Sequence, residues 1–445
     1  MNDVVAPSGR WRGETRGSAV VFRGIPYARA ERFGAPEPVA AHTGVYDATR
    51  RYAVAPQLPG RLEGVIGRAD PLEQSEDCLA LTVTIPAGAE PGSCPVLVWL
   101  HGGAYLAGSG QWNLYDADRL VRETRVVVVS VSYRLGVLGY LRAPGVSAGN
   151  LGLCDQIAAL RWVREHIAEF GGDPRRVTVA GQSAGAQSVV ALLGIAEARP
   201  LFAQAIVQSA PFGVGFHNHR QAERTGAMFL AELGADPFTA PVSDLLAAQG
   251  RTVRRAAGPA ALNSAPPFLP VADAGPLPGE REWRQAVRDA AGGLPVVLGC
   301  AAEEARAFYG GPHPVFGRLR RLPGIGGRLD SAGQRLIGRK AFEEGLFRFA
   351  DELVDAGATV YCYRVGRLHP ANPYGACHCV DLPLLFGDAD TWRAAPMLAP
   401  LTPAEIDALG IRTRRYWGEF VHTGRIGDPD WTAHRPNSRF ARQLP

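Results

Sequence analysis

The chain has 445 residues, of which 46% are hydrophobic and 20% are charged, and its formal net charge is +4. This composition is typical of a globular protein with a large core, and the small charge argues against a nucleic-acid partner. No apolar stretch approaches the ~18 residues of a membrane span, and the N-terminal residues carry no apolar secretion signal. The seven scattered cysteines do not indicate a disulfide framework. We therefore expect a cytoplasmic protein in a reducing environment.

Short β-branched runs alternate with helical patterns along the chain. Apolar positions in residues 153–170 recur at spacings of three and four, which predicts an amphipathic helix. A strong breaker, Gly-Gly-Asp-Pro, follows at 171–174. Strands are predicted at 96–100, 126–129, 177–180, 205–207, 295–299 and 359–363, and another helix is predicted from Ala184. This alternation predicts an α/β fold with a mostly parallel central sheet and helices on both faces.

Two regions have the composition of insertions in a single domain that covers residues 1–445. Residues 211–290 are rich in Ala, Gly and Pro, and residues 305–350 carry several arginines. Solvated helical cover is the favoured interpretation of these arginines, because charge runs are usually surface. The alternative is a cap that shapes the mouth of a pocket and favours anionic substrates.

The segment Gly-Gln-Ser-Ala-Gly at 181–185 is the most informative feature of the sequence. A serine inside G-x-S-x-G, between a strand and a helix, is the pattern of a nucleophile elbow. Glycines are needed on both sides because the turn is strained and its neighbours must give way. Ser183 is therefore the candidate nucleophile, and it requires a base to take its proton.

The partners of such a serine follow it in the chain, first an acid and then a histidine. Glu303 and Glu304 lie just beyond a predicted strand, where parallel sheets gather catalytic groups. Asp273, in a proline-rich turn, is an alternative acid. His369 and His378 both lie in the loop after the last predicted strand. An apolar run after His378 favours it modestly over His369.

The His-Gly-Gly-Ala segment at 101–104 follows a predicted strand. Glycine segments of this type supply two N–H donors to a developing oxyanion, and the amide of Ala184 supplies a third. Its place at the start of a helix adds a favourable dipole. Each donor of this kind is typically worth ~3–4 kcal/mol in the transition state.

The Cys-His-Cys sequence at 377–379 contains residue types that bind metals. The sequence has no second cluster at zinc spacing and no H-E-x-x-H motif. We therefore expect neither a metal nor a cofactor.

Seven segments together resemble those of one family. They are F-R-G-I-P-Y-A at 22–28, S-E-D-C-L at 75–79, H-G-G-A-Y at 101–105, S-Y-R-L-G at 132–136, G-N-L-G-L-C-D-Q at 149–156, F-G-G-D-P at 170–174 and G-Q-S-A-G at 181–185. From about 21 to 431 the chain resembles the type-B carboxylesterases, the cholinesterase-like branch of the α/β-hydrolases, and within them the bacterial carboxylesterases. The resemblance implies an α/β-hydrolase fold with cap insertions near 211–290 and 305–350. It also suggests an ion pair between Arg134 and Asp155.

The same resemblance implies roles for individual residues. Glu304 falls where the family has the Glu of a D-E-G segment, which makes it the triad acid. His378 lies in a G-x-x-H segment before an apolar run, which selects it as the triad histidine. Gly103, Ala104 and Ala184 are then the oxyanion donors.

The sequence departs from the family pattern at positions that bear on the disulfide bridge and on the range of substrates. Ala55 stands where secreted members have the cysteine that pairs with the equivalent of Cys78, so that bridge cannot form. Gln182 replaces a glutamate beside the serine, and no tryptophan lies between Arg12 and Trp99 to build a choline site. The missing glutamate and the missing tryptophan both weaken the attraction for a cationic substrate. These two differences exclude a choline esterase.

The predicted function is that of a serine carboxylesterase that hydrolyses a small-molecule ester through an acyl-enzyme, without a cofactor, as a monomer or homodimer. The candidate pocket residues are Tyr105, Trp112, Ser209, Phe212 and Phe216. One alternative is an acyltransferase or lactone-forming enzyme of a biosynthetic pathway that uses the same triad. The other is a non-catalytic binding protein like the cholinesterase-like adhesion domains.

Overall fold

A computed structural model of the protein describes residues 2–258, 265–311, 313–388 and 390–445. In chain order the strands are β1 (Asn2–Ala6), β2 (Gly9–Arg16), β3 (Ala19–Pro26), β4 (Ala28–Arg29), β5 (Glu37–Pro38), β6 (Val45–Asp47), β7 (Ala80–Pro86), β8 (Cys94–Leu100), β9 (Val127–Val131), β10 (Arg142–Ala143), β11 (Ser147–Ala148), β12 (Gly172–Gln182), β13 (Gln204–Gln208), β14 (Pro295–Ala301), β15 (Thr359–Val365) and β16 (Arg442–Leu444). The α-helices are α1 (Glu63–Ile66), α2 (Asp118–Thr124), α3 (Gly136–Tyr140), α4 (Leu151–His166), α5 (Ala184–Leu193), α6 (His219–Leu233), α7 (Val242–Ala257), α8 (Glu280–Ala290), α9 (Arg306–Tyr309), α10 (Pro314–Arg320), α11 (Gly326–Gly338), α12 (Glu344–Asp355), α13 (Leu382–Leu385) and α14 (Pro403–Thr423). Short 3₁₀ turns lie at Asn113–Tyr115, Arg199–Leu201 and Pro396–Leu398, and a π-helical turn at Arg339–Glu343.

The central sheet is antiparallel at one edge and parallel across the rest. Its strands lie in the order β1-β2-β3-β7-β9-β8-β12-β13-β14-β15-β16, with β6 paired to β2. Neighbours from β1 to β9 along this order are antiparallel, and those from β9 to β16 are parallel. The carboxyl ends of β8, β12, β14 and β15 therefore meet at one edge, which is where α/β sheets place ligands.

The sheet separates two apolar layers. Along β8, Val96, Val98 and Leu100 belong to one core cluster, and Leu97 and Trp99 belong to the other. Successive side chains of a strand point to opposite faces, so a continuous apolar run fills both layers at once. Burial on both faces is the expected state of a parallel strand beneath helices.

The strands predicted from sequence are confirmed, since each overlaps one of β8, β9, β12, β13, β14 and β15. The two predicted helices correspond to α4 and α5, although α4 ends at His166, before the predicted 170. The antiparallel edge was not predicted. Strand β2 is buried mainly at Trp11 and Gly13, and every position except Trp11 carries Gly, Arg, Glu or Thr. The strand therefore lacks the apolar run that marks the strands predicted from the sequence.

The two regions expected as insertions are largely helical. Residues 211–290 contain α6, α7 and α8, and residues 305–350 contain α9 to α11 and the start of α12. Residues 259–264 and Pro312 of these regions lie outside the described residues. Among the described residues, none of the helices combines the length and apolar character that crossing a bilayer requires.

The ion pair expected between Arg134 and Asp155 is confirmed. Arg134 Nη2 lies 2.7 Å from Asp155 Oδ1, and its Nε and backbone N–H donate to Oδ2 at 2.9 and 3.0 Å. The Asp155 side chain is fully buried and that of Arg134 is 5% exposed. The pair joins the loop after β9 to α4, which packs against β12.

Replacing Asp155 with alanine should destabilise the protein by about 3–5 kcal/mol, because it leaves a buried guanidinium without its partner. Urea denaturation measures the change. The matched control is Glu197→Ala, which breaks the half-exposed pair with Arg161 and should change stability by about 0–1 kcal/mol. Equal losses in the two variants would contradict the assignment of Arg134–Asp155 as a structural contact.

Candidate active site

Ser183 lies at a sharp turn between β12 and α5. Its backbone has φ 57° and ψ −119°, a conformation that non-glycine residues adopt only when the surroundings enforce it. A Cβ on Gly185 would overlap the carbonyl oxygen of Leu100, and one on Gly181 would overlap the backbone of Gly185. Both glycines are thus required by close backbone approach, and the turn projects Ser183 from the end of the strand.

His378 and Glu304 form a buried hydrogen-bonded pair. Nδ1 of His378 lies 2.5 Å from Oε2 of Glu304, and the two residues are 1% and 2% exposed. The other oxygen, Oε1, accepts the backbone N–H of Ala301 at 2.7 Å. Because both carboxylate oxygens are engaged, the carboxylate is fixed in place and keeps the proton of neutral His378 on Nδ1. Nε2 is left as the acceptor.

The adjacent carboxylate, Glu303, has a different environment. It pairs with Arg306 at 2.8 Å and with Arg367 at 2.6 Å. Partial burial opposes ionisation, but hydrogen bonds from Arg367 and from the N–H of Ala376 and the nearby positive charges outweigh it and lower the pKa of Glu303. Glu303 therefore belongs to an ion-pair cluster, while Glu304 alone of the two contacts His378.

Gln182, the residue before Ser183, contacts the other imidazole nitrogen. Its Nε2 lies 3.2 Å from Nε2 of His378, and its side chain is buried. The imidazole is thus held from both ends, by Glu304 at Nδ1 and by the residue before Ser183 at Nε2. The sequence showed only that Gln182 replaces a glutamate.

Two aromatic rings pack on the imidazole, and sequence reasoning missed both. The ring centroids of Phe308 and Phe342 lie 5.1 and 5.2 Å from that of His378. Phe308 follows Glu304 by four residues across the start of α9, a spacing that could have indicated it. Phe342 lies in the π-helical turn, and no signal in the sequence connects it to the site.

The glycine segment after β8 approaches the elbow closely. A Cβ built on Gly102 would lie 3.2 Å from the Cβ of Ser183. Gly103 and Ala104 have φ 119° and 58°, which turns this backbone away from a regular ladder. Within the described ranges, the N–H groups of Gly103, Ala104 and Ala184 donate to no protein acceptor. Ala184 is the first residue of α5, where a helix leaves its N–H groups free.

A second buried carboxyl, that of Asp381, lies behind the histidine and was also missed. Its Oδ2 accepts hydrogen bonds from Gln208 Nε2 at 2.7 Å and Tyr363 OH at 3.3 Å. Burial raises the pKa of Asp381, and the nearby Glu304 adds to this effect. Gln208 in turn accepts a bond from Trp417 at 3.2 Å. Nothing in the sequence distinguishes Asp381 from a surface acid three residues after a histidine.

The candidate pocket residues lie in different surroundings. Tyr105 is buried with its ring 4.6 Å from that of Tyr140, and Ser209 is buried at the end of β13. Trp112 is partly buried and packs against one core cluster. Phe212 and Phe216 are partly buried, and pack at 5.4 Å on Phe349 and 5.3 Å on Trp283 respectively. None of these ring contacts joins the candidate pocket residues to His378.

The cysteines beside His378 are buried free thiols. Burial raises the pKa of Cys377 and of Cys379. In the part of the chain that the structure describes, no three His, Cys, Asp or Glu side chains converge as metal ligands.

The parallel sheet, with a serine elbow at the end of β12 and a His–Glu pair at the ends of β15 and β14, places the protein among the α/β-hydrolases. The model of the Carboxylesterase family matches residues 2–310. A thermophilic PNB esterase superposes with a TM-score of 0.85 at 31% identity, covering 100% of this chain and 96% of that one. A carboxylesterase of Geobacillus stearothermophilus superposes over the same shares with a TM-score of 0.82 at 31% identity.

Curated relatives agree with this assignment. A probable N-octanoylanthranilate hydrolase of Rhodococcus erythropolis is 57% identical over 444 residues, covering 99% of this chain and 97% of that protein. The para-nitrobenzyl esterase of Bacillus subtilis is 32% identical over 475 residues, covering 98% and 93%. The chain belongs to the Carboxylesterase family, and it is a serine carboxylesterase that acts on carboxylic esters.

The two adjacent glutamates provide a matched test of the site. Glu304→Gln should lower kcat/KM by about 10⁴-fold, the scale seen when the acid beside a catalytic histidine becomes an amide. Glu303→Gln should leave activity within a few-fold, because its partners are arginines. Hydrolysis of 4-nitrophenyl octanoate measures both. Equal losses of activity would show that the hydrogen bond to His378 does not distinguish them.

Glu303→Gln should instead show a pH-dependent loss of stability. The pKa of Glu303 in the folded protein lies below the ordinary value of 4.5. Its ionised form therefore stabilises the fold above that pH, and this stabilisation is lost as the pH falls through the folded pKa. The wild type should have a higher urea midpoint than the variant at pH 7, and this difference should disappear below about pH 4.5. A difference in urea midpoint that does not change with pH would contradict the lowered pKa of Glu303.

Proposed function

We propose that Ser183 is the nucleophile, His378 the general base and Glu304 the residue that orients the imidazole. The observation that supports this assignment most directly is the buried 2.5 Å contact between His378 Nδ1 and Glu304 Oε2. It leaves Nε2, which lies 3.2 Å from the side-chain nitrogen of Gln182 next to Ser183, as the nitrogen that takes the serine proton in this proposal. The N–H groups of Gly103, Ala104 and Ala184 are the proposed oxyanion donors, since they have no protein acceptor within the described ranges.

The reaction then proceeds in two halves. The Oγ of Ser183 forms a bond to the acyl carbon while its proton passes to Nε2 of His378. The tetrahedral oxyanion is held by the three N–H groups, and the bond to the leaving group breaks as His378 returns the proton to it. Water, activated by the same imidazole, then attacks the acyl-enzyme and releases the carboxylic acid.

We further propose that the substrate class is a medium-chain acyl group carried by an aromatic amine or phenol with a carboxylate beside it. The 57% identical relative is named for the hydrolysis of N-octanoylanthranilate, a compound of this class. An anilide follows the same two halves as an ester, with His378 protonating the leaving nitrogen. Gln182 carries no charge at the elbow, which removes a source of repulsion toward an anionic substrate.

The named relatives favour hydrolysis over acyl transfer, because they are hydrolases and esterases. Retention of Ser183, Glu304 and His378 argues against a non-catalytic binding protein. We propose a cytoplasmic monomer or homodimer without a nucleic-acid partner, supported by the free thiols and the net charge of +4.

Ser183→Ala should reduce kcat for 4-nitrophenyl octanoate and N-octanoylanthranilate by about 10⁶-fold, the scale of losing a triad nucleophile. Spectrophotometric release of 4-nitrophenol and chromatographic detection of anthranilate measure the two reactions. The control is Ser243→Ala, the same change at an exposed position of α7 beside Asp244. A Ser183→Ala variant with wild-type rates would overturn the assigned nucleophile, and wild type inert toward N-octanoylanthranilate would overturn the proposed substrate alone.

A further inference from the structure

A short segment that contains α1, residues 60–68, lies between the His-Gly-Gly-Ala loop at 101–104 and the loop that carries His378. A Cβ on Gly60 would lie 3.6 Å from the Cβ of Ala107, and Ala107 donates its N–H to Gly103 at 3.0 Å. On the other side, Tyr374 OH donates to the carbonyl of Gly64 at 3.4 Å. Tyr374 precedes His378 by four residues. This segment therefore spans the edge of the candidate active site.

Arg61 projects from this segment onto the aromatic side of the histidine. Its Cζ lies 5.4 Å from the Phe308 ring and 5.8 Å from the Tyr309 ring, and its Nη2 donates to the Phe308 carbonyl at 3.4 Å. The Phe308 ring lies 5.1 Å from the imidazole of His378. One aromatic ring thus separates a guanidinium from the proposed base. Among the described residues, Arg61 is the one arginine packed on a ring that contacts His378.

The charge of Arg61 is available to a ligand. Within the described part of the chain no carboxylate pairs with it, and the residue is exposed. By contrast, Arg306 and Arg367 are held by Glu303, and Arg364 is held by Glu343. A guanidinium packed against aromatic rings still has N–H donors along its edge, and this planar fork of donors can bind both oxygens of a carboxylate.

We propose that Arg61 is a specificity-determining residue that binds a carboxylate on the aromatic leaving group of the substrate. This inference rests on the proposed function, because it assigns a partner to the carboxylate of the proposed substrate class. In this proposal the acyl carbon lies at Ser183 and the leaving atom beside His378, with the neighbouring carboxylate on the side of the imidazole where Phe308 packs and where Arg61 contacts the Phe308 ring. The arrangement selects anionic acyl-aryl substrates over neutral ones without touching the reacting atoms.

A pair of octanoate esters tests the proposal directly. Wild type, Arg61→Gln and Arg61→Lys are compared on 2-carboxyphenyl octanoate and phenyl octanoate, which differ only in the carboxylate. We expect the ratio of the two kcat/KM values to fall about tenfold in Arg61→Gln, mainly through a higher KM for the anionic ester. Arg61→Lys should restore part of the ratio, because it keeps the charge and loses the planar fork. The preference of wild type should weaken with salt.

The matched control is Arg68→Gln, the same change near the end of this segment. Arg68 pairs with Glu63 at 3.1 Å and its side chain is 83% exposed, so the ratio should stay at its wild-type value. A ratio unchanged by Arg61→Gln, or lowered equally by Arg68→Gln, would overturn the role of Arg61.

The outcomes also separate this inference from the proposed substrate. If wild type cleaves N-octanoylanthranilate while Arg61→Gln leaves the ester ratio unchanged, the inference fails and the proposed substrate stands. If wild type cleaves both esters and not N-octanoylanthranilate, the proposed substrate fails, and the ester ratio still decides whether Arg61 recognises the carboxylate.

Discussion

The hydrogen bond between Glu304 and His378 is the contact on which the rest of the site depends. It joins the loops after β14 and β15, which are parallel neighbours in the sheet. Only parallel pairing brings both carboxyl ends to the same edge as the end of β12, where Ser183 turns into α5. The N–H of Ala301 fixes the carboxylate, and the carboxylate fixes the ring. The orientation of Nε2 is therefore set by contacts within the protein.

How far the sequence could predict this site depends on how many residues separate the partners of each contact along the chain. The elbow at Ser183 is a local strand-turn-helix structure, so the five-residue pattern together with the predicted strand before it and helix after it indicated the turn. The choice between Glu303 and Glu304 was open from spacing alone and needed the family resemblance. What separates them physically is Arg367 and His378, which come from loops more than 60 positions later in the chain. Phe342 reaches His378, and Gln208 reaches Asp381, through tertiary packing, and no periodic pattern encodes such contacts.

The electrostatics of the site also fit its departures from the cholinesterase-like pattern. An amide at Gln182 touches the imidazole where a carboxylate would attract cations. Arg61, which pairs with no carboxylate among the described residues, packs on the Phe308 ring that contacts the same imidazole. In the proposed function, both features favour anionic over cationic substrates. The proposed triad and oxyanion donors are other residues, so in this proposal the substrate preference can change while the acyl-transfer chemistry stays the same.

Peptide mapping by mass spectrometry after treatment with diethyl 4-nitrophenyl phosphate tests the central claim most directly. An organophosphate bonds to a serine only where an imidazole removes its proton and N–H groups hold the phosphoryl oxygen. The account predicts one diethylphosphoryl group per chain, on the peptide that contains Ser183, with loss of esterase activity in the same proportion. An enzyme that loses its activity with the label on another serine, or that stays active with Ser183 fully labelled, would contradict it.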